Sequence, residues 1–206
     1  MTGPQSGATG PQSGATSPLA SATGLLAGAI SYALSVCALV RPGEMALPTP
    51  CAEWDLGMLL GHLGDSMADL ETAIRTGHLD LDRPAGRADV GRGVGDPVEV
   101  LRDRAAQLLC SSYCYAGPER LVAVADLPLP AGLVACTGAV EIAVHGWDVS
   151  AARGRAEEIP PGLAVRMLAL SPLLVTSRAG LFAPPVEVPP QAGPGDRLVA
   201  YLGRHP

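Results

Sequence analysis

Glu141 and His145 stand four residues apart in the stretch GLVACTGAVEIAVHGWDVSAAR, residues 132–153. On a helix that spacing projects the carboxylate and the imidazole from one face, about one turn apart. Asp148 continues the same stripe three residues later. A carboxylate carried by so apolar a helix needs a partner, because burying it alone costs several kcal/mol. His62 sits between leucines in a second helix-like stretch, LGMLLGHLGDSMADLETAIRTG. Two arrangements satisfy these residues. In one, His62, Glu141 and His145 are the three N/O ligands of a divalent metal whose fourth position stays open, the set associated with a catalytic zinc. In the other, Glu141 and His145 form a hydrogen-bonded pair and His62 is an isolated core histidine. Spacing alone leaves both open.

The residues around them have plainer readings as well. Asp65 follows His62 by three and Asp148 follows His145 by three, so each could orient its histidine from behind; for Asp65 a solvated helix face serves equally. Trp147 either walls the pocket or packs, and Trp54 and Cys51 lie in a loop that could staple the His62 helix. Arg166 and Arg178 are the candidates for receiving a substrate or cofactor carboxylate. His78 and His205 receive no role. The five cysteines, Cys37, Cys51, Cys110, Cys114 and Cys136, are odd in number and form no CxxC pair. They read as the reduced thiols of a cytoplasmic protein, with Cys110 and Cys114 packed on a buried helix stripe.

Helices must position the chemistry. Leu19 to Val40 carries no charge, but its interspersed Ser, Thr and Gly and the missing basic flank predict a bundle helix rather than a membrane span. Asp55 can cap a helix running to Gly77, along which Leu56, Leu59, Leu60, Leu63, Met67 and Leu70 recur at helical intervals. A Gly/Arg/Asp-rich loop, His78 to Asp96, precedes a helix from Pro97 to about Tyr115. LVAVADLPLP reads as an edge strand or an extended crossover. Residues 132–153 form the next helix, and Pro161 to Ser177 another, kinked at Pro172. A proline-rich run and a short amphipathic turn end the chain.

Length and composition bound what such elements can build. The chain has 206 residues, 48% of them apolar and 3% aromatic, enough for a core filled by aliphatics and alanine. Its 14 basic residues, all arginine, face 20 acids, for a net charge of -6, which argues against a nucleic-acid partner. The heptad GPQSGAT occurs twice, at residues 3–9 and 10–16, and reads as a disordered leader with nothing to bury. The predicted organisation is therefore all-α: a leader over 1–17, a four-helix bundle over 18–183 and a short proline-rich C-terminal extension over 184–206. The apolar first helix could equally line a homodimer interface.

Three blocks in this order, PTPCAEWDLGMLLGHL, VEIAVHGWDVSAARGR and GLFAPPVEVPP with GDRLVAYLGRHP, resemble the actinobacterial metal-binding family related to mycothiol-dependent maleylpyruvate isomerase. The likeness covers roughly residues 19–206. It implies a DinB-like four-helix bundle in which His62, Glu141 and His145 hold a divalent metal, usually zinc. It further implies an isomerase or thiol S-transferase using mycothiol, in which a metal-bound thiolate or water attacks an electrophilic small molecule. The same ligands would also serve a thiol-independent hydrolase or cyclase of specialised metabolism, or a non-catalytic metal- or ligand-binding bundle.

Overall fold

The computed structural model describes residues 18–52, 54–80, 96–115, 117, 119–155, 157–175, 178 and 182–206. The expected leader over 1–17 and most of the His78–Asp96 loop lie outside the described residues. Six α-helices dominate: α1 (Pro18–Cys37), α2 (Leu56–Thr76), α3 (Pro97–Tyr115), α4 (Ala131–Ala152), α5 (Pro161–Leu174) and α6 (Pro194–Tyr201). The first four pack on one another as a bundle, α1 against α4, α2 against α3 and α4, and α5 and α6 pair outside it. Among the described residues no helix is long and apolar enough to cross a membrane.

The ends of α2 follow from its sequence. Asp55 takes the N-cap position and its carboxylate accepts the Met58 N–H at 2.8 Å, satisfying one of the donors a helix start leaves orphaned. Gly77 closes the helix at φ 79°, its N–H bonded to Ala73 O, a left-handed conformation that glycine adopts without a Cβ penalty. Between the caps, Leu56, Leu59, Leu60, Leu63 and Met67 are fully buried, each stabilising the fold by about 1.5 to 3 kcal/mol. In α3 the buried register runs through Val98, Leu101, Ala105, Leu108 and Ser112. Cys110 and Cys114 are exposed, which corrects the packed-stripe reading: their i,i+4 spacing places both on the solvent side of that register.

A small sheet joins one end of the bundle, where a single extended element was expected. β1 (His78–Leu79) pairs in parallel with β2 (Leu121–Val124), which pairs antiparallel with β3 (Leu127–Pro130), in the order β1-β2-β3. LVAVADLPLP is thus a hairpin. Its turn residues Ala125 and Asp126 have φ of 46° and 66°, the left-handed pair that a two-residue hairpin loop demands and that Asn-Gly fits best. Replacing Ala125→Asn together with Asp126→Gly should raise stability by about 1 kcal/mol, read as a higher urea midpoint at unchanged slope. The sheet connects the C-terminal end of α2 to the N-terminal end of α4. The two helices run antiparallel, so the first turns of α2 meet the last turns of α4 at the opposite end.

Candidate metal centre

That opposite end carries the site. His62 is in the second turn of α2, Glu141 is at the middle of α4 and His145 lies one turn further toward its C-terminal end. His62 Nε2 lies 3.3 Å from Glu141 Oε1, and the His62 and His145 rings meet edge to face with centroids 5.0 Å apart. One donor atom from each of His62, Glu141 and His145 lies within 4.8 Å of the others. Two ligands each about 2.1 Å from a tetrahedral zinc would be ~3.4 Å apart, so the Glu141–His62 separation already suits shared coordination. The side chains retain 30% (His62), 41% (Glu141) and 12% (His145) of their surface accessible. The cluster therefore faces solvent, as an open fourth position requires, rather than closing on itself.

Each donor is held from behind. Ser66, one turn after His62, donates to Glu141 Oε1 at 2.7 Å and stands 3.5 Å from His62 Nε2. His145 Nδ1 is 3.0 Å from Asp148 Oδ2, which leaves Nε2 as the nitrogen available toward His62 and Glu141. Asp148 is fully buried and is met by Arg204, whose Nη2 donates to Oδ2 at 2.9 Å and whose Nε lies 3.3 Å from Oδ1. Burial alone would raise the Asp148 pKa, but hydrogen bonds from His145 and Arg204 and the guanidinium charge take it below its ordinary value.

The loop before α2 closes one side. Thr49 Oγ1 donates to Trp54 O at 2.8 Å and to Cys51 O at 3.1 Å, and accepts the Cys51 N–H at 3.1 Å. The loop so pinned lays Trp54 against His62, centroids 4.4 Å apart, with His145 at 6.1 Å. Cys51 Sγ donates to Asp148 Oδ2 at 3.5 Å. Cys51, His145 and Asp148 also form a three-donor group, but a cation there would sit beside Arg204. Burial and the Asp148 charge moreover push the Cys51 thiol up to about 11, so it serves as a donor to Asp148. The first group is the better cation site.

The remaining sequence candidates lie as follows. Asp65 pairs with Arg104 Nη1 at 2.7 Å; Ser66, not Asp65, is the α2 residue that touches His62 and Glu141. Trp147 is buried in the core of α4. Arg178 stacks over the Tyr201 ring at 4.7 Å and donates to Ala183 O. Arg166, on α5, lies beside Cys136, whose thiol is pushed up by burial and only partly brought back by that guanidinium. Arg204 and Ser66 escaped the sequence reading. The signal for Arg204 was indirect: a buried Asp148 requires a cation, and Arg204 lies in the last of the three resembling blocks.

Residues 26–150 match the family described as mycothiol maleylpyruvate isomerase N-terminal domain. The chain belongs to that family. Two uncharacterized proteins of Mycobacterium tuberculosis strains are each 27% identical over 184 residues, covering 82% of this chain and 90% of the relative. The crystal structure of the mycothiol-dependent maleylpyruvate isomerase superposes with a TM-score of 0.59 at 17% identity, covering 75% of this chain and 69% of that one. This likeness places the bundle in the DinB-like helical fold of the family. The family match spans α2, α3 and nearly all of α4, and so includes His62, Glu141 and His145.

The charge state of Glu141 gives a pH prediction for the metal-free protein. Although 41% of its side-chain surface touches solvent, the protein packed around the carboxylate opposes ionisation. Hydrogen bonds from His62 and Ser66 and the charges of His145 and His62 outweigh that opposition and lower the Glu141 pKa from 4.5 to about 2. Because the folded value is depressed, the group's stabilising contribution is present above pH 4.5 and is lost as pH falls toward 2. Denaturant midpoints of the chelated wild type and of Glu141→Gln should differ at pH 6 and converge by about pH 2; a gap independent of pH would contradict this.

Proposed function

We propose that His62, Glu141 and His145 hold one divalent metal, zinc by their donor set, and that the chain is a cytoplasmic enzyme of the mycothiol-dependent isomerase or thiol S-transferase type acting on an electrophilic small molecule. The observation that carries this reading is the convergence of the three donors on a solvent-facing end of the bundle, with a buried carboxylate behind His145. A Glu–His pair kept only for packing needs neither the open face nor that backing residue. A metal bound there would lower the pKa of a thiol or water in its fourth position and present the anion as a nucleophile.

The chain's own groups supply the rest. Glu141 and the two histidines provide one negative charge and two neutral donors, which leaves a zinc site net cationic and suited to an anionic thiolate. Ser66 fixes Glu141 Oε1, and Asp148 fixes the His145 ring. Trp54, packed on His62, excludes water from one flank of the site and offers an apolar surface to the substrate. The family match and the named isomerase of the same fold support mycothiol as the thiol.

Cobalt(II) in place of the native metal tests this. Titrating mycothiol into the cobalt protein should produce thiolate-to-cobalt charge-transfer absorption in the near ultraviolet, together with an intensified d–d band. A cobalt spectrum indifferent to mycothiol would remove the thiol and favour a metal-bound hydroxide, hence a hydrolase or cyclase. A protein that takes up no cobalt would remove the metal as well.

A further inference from the structure

Asp148 is a fully buried carboxylate with four donors around it. His145 Nδ1, Cys51 Sγ and Arg204 Nη2 all reach Oδ2, at 3.0, 3.5 and 2.9 Å, whereas Oδ1 is reached by Arg204 Nε at 3.3 Å. Arg204 comes from 56 residues further along the chain, and its delivery is built into the C-terminal turn. Leu198, Val199, Ala200 and Leu202 are buried, on a helix α6 that packs against α5. Beyond Leu202 the chain reverses through Gly203 at φ 87°, with Gly203 N–H bonded to Ala200 O at 3.0 Å and Arg204 N–H to Val199 O at 2.9 Å. These are the two bonds of a Schellman closure. A Cβ on Gly203 would lie 2.8 Å from Ala183 O, so glycine is required both for the conformation and for the space. From this turn the guanidinium reaches inward onto Asp148, and its Nη1 also donates to Leu202 O at 3.1 Å.

We infer that Arg204 is a positioning residue for His145: it clamps both oxygens of Asp148, and the clamped carboxylate fixes the orientation of the His145 ring. A carboxylate terminal torsion is broad and roughly two-fold, so a single contact does not fix it. Two guanidinium nitrogens on two oxygens do, through the planar fork that lysine lacks. Without Arg204, Oδ1 would be stranded in the core, and the carboxylate would turn to recruit His145 or Cys51 differently, taking the ring with it. The last α-helix and its turn thus belong to the site although they contribute no residue that faces its open side. The functional consequence rests on the reading of His145 as a metal donor.

The test uses the full chain with Arg204→Met, Arg204→Lys and, as a control, Arg197→Met, which removes a different arginine of the same C-terminal segment, one bonded to Pro190 O. Two readouts are taken: cobalt(II) affinity by chelator competition, and the ring nitrogen shifts of His145 in the metal-free protein by 15N NMR. Arg204→Met should weaken cobalt binding by roughly 10- to 100-fold and move the His145 nitrogen signals. Arg204→Lys should recover part of both, and Arg197→Met should change neither, even where each methionine variant lowers the melting temperature. Unchanged affinity and unchanged His145 signals in Arg204→Met would overturn the inference. Should the wild type bind no cobalt, the metal reading fails on its own, and the His145 signals decide: a shift in Arg204→Met upholds the clamp, and identical spectra refute it.

Discussion

A His62→Ala, His145→Ala double variant should contain no metal after dialysis against a chelator and re-exposure to zinc, where the wild type retains one equivalent. The expectation is sharp because His145 belongs to both three-donor groups in this end of the bundle, so the double change dismantles each. The single variants separate them. His62→Ala destroys only the His62, Glu141, His145 group; if it still held stoichiometric metal, the ion would reside at Cys51, His145 and Asp148 instead. Asp148→Asn, which keeps the first group's ligands, should weaken binding by ~10- to 100-fold without emptying the site. On the proposed reading, activity in the double variant should fall by orders of magnitude, because the metal that would ionise the nucleophile is lost. The fold should survive. His62 and His145 are partly exposed, Asp148 keeps Arg204 when His145 is lost, and Glu141 keeps Ser66, so no buried charge is stranded. Hydrophobic packing, not the ion, supplies most of a bundle's stability. Stoichiometric zinc in the double variant, by elemental analysis, would place the site elsewhere.

Gly146→Val should lower the melting temperature by about 6–12 °C, the equivalent of ~3 kcal/mol of overpacking in a chain of this size. Gly146 lies where α4 crosses α1. A Cβ there would come within 3.1 Å of Ala33 Cα, 3.2 Å of Ala33 Cβ and 3.2 Å of Tyr32 Cε1. The first of these is backbone, which no rotamer change can clear, so the helices must separate. Tyr32 is itself tied across the interface, its hydroxyl donating to Glu157 O at 2.6 Å. Gly138 is a milder case, because the obstacle is the Leu70 side chain. At Gly24, in α1, nothing lies within 4 Å of the added carbon, and Gly24→Ala should gain roughly 0.5–1 kcal/mol from helix propensity alone. Calorimetry on the pair decides the point: a glycine at the α1–α4 crossing and one on the exposed side of α1 should respond with opposite signs. Since His145 precedes Gly146, the valine variant should also lose metal affinity, whereas the Gly24 variant should not. A Gly146→Val protein that melts with the wild type would show that α1 and α4 can part without strain.

What the sequence by itself determined is what depends on neighbours along the chain. The leucine spacing of α2, its Asp55 and Gly77 caps and the i,i+4 placement of Glu141 and His145 are all consequences of a 3.6-residue period and local backbone chemistry, and each stands in the structure as read. Spacing offered His62 as a third donor beside that pair but left the alternative open, and the resemblance favoured it, since nothing local says which residue of α2 faces which residue of α4. Tertiary structure alone decided the rest. Asp65, three residues after His62, faces Arg104 instead of the histidine, because a second helix offered its carboxylate a permanent charge. LVAVADLPLP became two strands because β1, some 40 residues earlier in sequence, supplies the edge that a lone hairpin in water lacks. Arg204 reached Asp148 only because the burial of α6 and a left-handed glycine aim it there. Such long-range pairings satisfy buried charge and backbone groups across the chain, and their partners become definite only once the helices have packed.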